Sequence, residues 1–145
     1  MLTRSRNSHT YAMTSTMIGV AFMLGALAHA MGWLQVSASA ADARILPAAV
    51  TELCCGILML LAAMTLRAHR PGAWRNAIIA HVLAFAAIVA ELLGLLLGLR
   101  DTTQASALYQ GVMAAFLLFN LIGLWRTRPR NPIKRAQHRI AARMY

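Results

Sequence analysis

Acidic residues are scarce in this chain of 145 residues: four Asp and Glu stand against fourteen Lys and Arg, and only 12% of residues are charged. Soluble domains carry roughly 25% charged residues, so an ordinary water-soluble globule is excluded. Cysteine is nearly absent too. Cys54 and Cys55 are adjacent and have no third partner, which excludes a disulfide framework. No polar stretch is long enough for a separate soluble domain. The nine methionines form no MxxM array, so they read as packing residues and not as a copper path.

What the chain has instead is apolar sequence, 59% of the total. It falls into four runs, about 11–34, 45–66, 74–99 and 106–125, each near the ~20 residues that cross a bilayer. The predicted fold is all-α, an integral membrane four-helix bundle. Residues 1–10 are expected to be a cytoplasmic tail and residues 126–145 a basic one. Pro47 is tolerated in the first turn of the second helix, and Pro71-Gly72 is a turn signal. Trp33, Trp74 and Trp125 mark span ends, as interfacial aromatics do. Ala38-Ser39-Ala40 has the form of a signal-peptidase site, with Arg4 and Arg6 as its basic flank. The first apolar run, however, is about twice the 7–15 residues of a signal-peptide core. An uncleaved helix is expected.

A net charge of +10 would point to nucleic acid in a soluble protein. Here its distribution has a simpler cause. The first tail, the loop between the second and third runs, and the last tail hold twelve of the fourteen basic residues and no acid. That asymmetry is expected of a chain with both termini in the cytoplasm; a bacterial inner membrane and no nucleic-acid partner are expected. In the last tail, Ile133, Ala136, Ile140 and Met144 recur at helical spacing between basic residues. The pattern suits a helix lying on anionic headgroups, or equally a solvated positive tail.

Ionisable residues inside apolar spans are costly and by default mark a site. At 1.5 Å per residue, His29, Glu91 and Glu52 lie roughly 27, 25 and 20 Å from the inner edge of a ~30 Å core. All three fall in the outer half. Their faces agree. Ser15, Gly19, Phe22, Ala26 and His29 share one helix face; Glu52, Cys55, Gly56 and Met59 share another. Ala80, Ala84, Ala87, Glu91, Gly94 and Gly98 follow on a third, and Gly94 with Gly98 makes a GxxxG close-approach motif. A cluster of His29, Glu52 and Glu91 is therefore expected. Two carboxylates in one apolar pocket repel, and a protonated His29 between them would relieve this. Such a cluster binds something, staples the helices, or is an accidental exposure at the rim.

His81 and Asn120 fall in the inner third and are expected to form an interhelical hydrogen bond. His29 and His81 differ in depth by roughly 18 Å, too far to share a haem iron. Cys54 and Cys55 point about 100° apart on a helix. They are either small packing residues or a soft-metal pair. In the second sense they resemble the mercuric-ion transport proteins of bacteria, whose pair lies in the first span and is accompanied by further cysteines.

Two stretches resemble the DoxX-like membrane family. Phe22-Met-Leu-Gly25-Ala26-Leu-Ala-His29 is similar to the end of that family's first span, with His29 in place of a lysine. Glu52-Leu53-Cys-Cys-Gly56-Ile-Leu-Met-Leu60 is similar to its second-span opening. The likeness covers residues 15–65, and Glu91 is not carried by it. It implies a four-helix bundle associated with quinone-linked sulfur oxidation or membrane redox-stress complexes. The expected function is thus an accessory or scaffolding subunit of a membrane redox assembly, with a larger membrane partner or a second copy. No cofactor of its own is expected, a quinone headgroup excepted. The alternative is a small proton-coupled or soft-metal transporter using Glu52, Glu91, His29 and Cys54/Cys55. An enzyme is least expected, since no nucleophile–base pair or full metal shell is visible.

Overall fold

The computed structural model describes residues 2–33, 46–97 and 104–128, among which all regular structure is helical. The helices are α1 (Leu2–Ala30), α2 (Leu46–Arg67), α3 (Ala73–Leu96) and α4 (Gln104–Thr127). Each is long and apolar enough to cross a membrane. At the start α1 runs unbroken from Leu2 through the segment expected as a tail, and its candidate span begins at Ser8. Nothing in residues 2–10 stops a helix, since no Pro or Gly occurs there. The A-x-A element and the expected amphipathic tail helix lie outside the described residues.

Helix ends follow from local chemistry. Gly32 adopts φ +76°, its N–H reaches the His29 carbonyl at 3.2 Å, and the Trp33 N–H reaches the Ala28 carbonyl at 2.8 Å. This pair of bonds is a Schellman cap, and it holds His29 in the last turn. α2 ends in the same motif with His69 in the left-handed position, φ 51°, where the Arg70 N–H meets the Thr65 carbonyl at 3.2 Å. Within the apolar helices, threonine hydroxyls donate back to their own turns, as Thr16 does to the Ala12 carbonyl at 2.8 Å.

The helices form an antiparallel ring in which α1 packs on α2, α2 on α3, α3 on α4, and α4 loosely on α1. The tightest crossing is between α1 and α2 at Gly19 and Gly56. A Cβ on Gly56 would stand 3.1 Å from the Gly19 carbonyl oxygen, and one on Gly19 3.2 Å from that of Gly56. Close approach is therefore provided here, whereas the expected motif in α3 ends at Gly98, outside the described residues. The core includes Phe22, Met59, Leu66, Ile88, Leu117 and Leu124, all nearly inaccessible. The outside is apolar as well: Leu96 and Phe119 are each 82% exposed. Such a surface in water would be an extended aggregation patch.

Candidate functional site

The faces read from the sequence of α1 and α2 do turn inward. Ser15, Gly19, Phe22, Ala26 and His29 are buried, as are Glu52, Cys55, Gly56 and Met59. The antiparallel register brings the last turn of α1 beside the second turn of α2. His29 Nε2 consequently lies 3.6 Å from Glu52 Oε1, and each side chain is 1% exposed.

A third group completes this centre. Tyr109, in the second turn of α4, donates its hydroxyl proton to the Ala21 carbonyl at 3.2 Å. The same hydroxyl stands beside the Glu52 carboxyl, with which it interacts. Gly25 makes the room. A Cβ there would overlap the Tyr109 hydroxyl and come within 2.8 Å of Glu52 Oε2, so no larger residue fits without displacing one of them. The contacts of Glu52 are loose even so. Neither of its buried oxygens meets a partner at strict hydrogen-bond geometry among the described residues.

Glu91 reaches this end of the ring but takes a different direct partner. Gln110 Nε2 donates to Glu91 Oε2 at 2.8 Å. Glu91 is partly buried and remains within electrostatic reach of Glu52, Cys55 and Tyr109. His29, Glu52 and Glu91 thus gather at one end of the ring, with His29–Glu52 and Glu91–Gln110 in direct contact and Tyr109 alongside. Tyr109 and Gln110 are additions to the sequence reading. The depth arithmetic that located Glu91 puts both at the same level, because α4 starts at that end.

The expected His81–Asn120 bond is replaced by two others. Asn120 Oδ1 accepts from the Thr14 hydroxyl at 2.8 Å, across the α1–α4 seam. His81 Nδ1–H donates to the Ala77 carbonyl one turn back, at 2.8 Å. Matching depth does not ensure matching azimuth: Asn120 turns toward α1. His81 Nε2 and Ser15 Oγ, both fully buried, have no hydrogen-bond partner among the described residues.

Cys54 is exposed and Cys55 buried, so the two thiols diverge. Among the described residues no three His, Cys, Asp or Glu side chains gather as a metal shell. At the opposite, basic end lies a serine–histidine contact that the sequence did not display. His69 Nδ1 is 2.8 Å from the Arg67 carbonyl, which can only accept. In the neutral imidazole Nε2 is then the acceptor, and Ser8 Oγ donates to it at 3.1 Å. Ser8 is 4% exposed, so the contact works as a clasp between α1 and the α2–α3 turn. Comparison with protein families, characterised proteins and solved structures finds no match to this chain.

Proposed function

We propose that this chain is a multi-pass membrane protein with both termini in the cytoplasm, serving as a small non-catalytic subunit of a bacterial inner-membrane redox assembly. Four apolar helices with apolar outer faces support the membrane reading, as do arginines gathered at one end of the ring. The redox association rests on the resemblance of residues 15–65 to DoxX-like proteins.

One observation carries the site. Glu52 is as buried as a core residue, with His29 Nε2 3.6 Å from its Oε1 and the Tyr109 hydroxyl beside it. An ionisable side chain buried among apolar helices is costly and by default marks a site. Carboxylate, imidazole and phenol together offer the acceptor and donors that a quinone or quinol headgroup needs. The test is purification in mild detergent followed by solvent extraction and quinone quantification. Wild type should co-purify with larger membrane proteins and with quinone; Glu52→Gln should keep the partners and lose most of the quinone. Equal quinone in both proteins, or no larger partner, refutes the proposal.

A second reading is a proton-coupled carrier. It is favoured by two carboxyls on separate helices that sense each other electrostatically. Proteoliposome uptake lost in both Glu52→Gln and Glu91→Gln, with the protein still inserted, would select it.

A further inference from the structure

The basic end of the ring holds a cavity of about 790 Å³, at the α2–α3 turn and the end of α4. Arg70, Arg75 and Arg128 line it together with Trp74 and Trp125, and Ile78 adds an apolar wall. No Asp or Glu is among its described lining residues. The arrangement is more ordered than a spray of solvated charge. The Arg128 guanidinium lies over the Trp125 ring, 4.1 Å from its centroid, a cation–π contact that fixes its plane. Trp74 is held edge-on by Tyr11, with ring centroids 5.6 Å apart. The His69 side chain, clasped to Ser8 at 3.1 Å, closes the α1 side.

Guanidinium groups offer paired donors matched to phosphate oxygens. Indoles suit the boundary between headgroups and acyl chains. Three arginines, two indoles and an aliphatic wall in one cavity thus offer a charged floor and an apolar flank together. A free inorganic anion needs the first and has no use for the second; a phospholipid needs both. We propose that this cavity binds the phosphodiester headgroup of an anionic phospholipid, with its acyl chains running along Ile78. The inference rests on the membrane reading of the helices but not on the polar centre at the other end. Resistance of the protein to alkaline carbonate extraction checks that membrane reading separately.

The experiment uses the full chain in dodecyl maltoside, with Trp33→Phe so that emission reports Trp74 and Trp125. Titration with phosphatidylglycerol should give a saturable change, and phosphatidylcholine at the same mole fraction should not. Arg75→Gln and Arg128→Gln should each weaken binding about tenfold or more, since a hydrogen bond between charged groups contributes about 1.5 kcal/mol or more. Arg126→Gln removes the same charge outside the cavity and should stay within about twofold. Equal responses to the two lipids overturn the proposal without any variant. So do equal losses for Arg126→Gln and Arg128→Gln, which would mean diffuse charge attraction. Saturation by inorganic phosphate alone at similar concentration, with no added effect of lipid, would also overturn it. Should a glutamine variant lose its helical circular dichroism, Arg75→Lys and Arg128→Lys replace it. An ammonium keeps the charge without the paired donors, so each should weaken binding about threefold or more, and wild-type affinity in both folded lysine variants counts against the proposed site.

Discussion

Replacing Gly25 by alanine is the sharpest test of how the polar centre is assembled. The added methyl would overlap the Tyr109 hydroxyl and stand 2.8 Å from Glu52 Oε2, so α4 or the carboxyl has to shift. Forcing an extra methyl into filled space costs about 1–3 kcal/mol. Losing the Tyr109 bond to the Ala21 carbonyl adds about 1 kcal/mol. Alanine returns up to ~1 kcal/mol through its better helix propensity. A net destabilisation of about 1–3 kcal/mol results. Reversible unfolding in mixed micelles, followed by far-ultraviolet circular dichroism, measures it. Gly111→Ala is the matched control: nothing lies within 4 Å of its Cβ position, so it should be neutral or slightly stabilising. Tyr109→Leu removes both the hydroxyl and the ring edge, so Gly25→Ala should cost at least about 1 kcal/mol less in that background. If Gly25→Ala is as stable as wild type, or its cost is unchanged by Tyr109→Leu, then the three residues do not share this space.

Four further outcomes follow from the contacts. Thr14→Val with Asn120→Leu should show a coupling near ~0.6 kcal/mol in a double-mutant cycle, the mean for interhelical hydrogen bonds in membranes. The coupling between His81 and Asn120, measured the same way, should be within error of zero, because each bonds elsewhere. In detergent, N-ethylmaleimide should add to Cys54 in the folded protein and to Cys55 only after unfolding. Mass spectrometry of Cys54→Ser and Cys55→Ser reads this directly, and equal native labelling of both would contradict the burial of Cys55. Gln110→Leu should destabilise by about 1–3 kcal/mol, because it strips a partly buried carboxylate, Glu91, of a charge-assisted bond. A neutral result in the same unfolding assay would count against that bond.

Helix number and the inward faces of α1 and α2 were legible in the sequence, because small residues and ionisable ones repeat at three- and four-residue steps. Depth was legible as well: a constant rise per residue put His29, Glu52 and Glu91 at one end. Azimuth was harder to read. In an apolar environment the outer face of a helix is as hydrophobic as its inner face, so α4 gives little contrast from which to orient Tyr109, Gln110 and Asn120. Asn120 was accordingly assigned to His81 when it faces Thr14. The Gly94–Gly98 motif ends outside the described residues, and the close approach of α1 and α2 is made by Gly19 and Gly56, single glycines on two helices that no one-helix motif displays. The His69–Ser8 clasp depends on a left-handed residue at a helix end, a conformation the sequence leaves open.

The seam between α1 and α4 is the thinnest in the ring, bordered by a groove of about 580 Å³ that includes Tyr11, Thr14 and Phe116. His29 and Glu52 stand on one side of the line it would open along; Tyr109, Gln110 and Glu91 stand on the other. Parting that joint would therefore sort the acidic centre into two halves, an imidazole–carboxylate couple left with its hairpin and an amide–carboxylate couple carried off with the other.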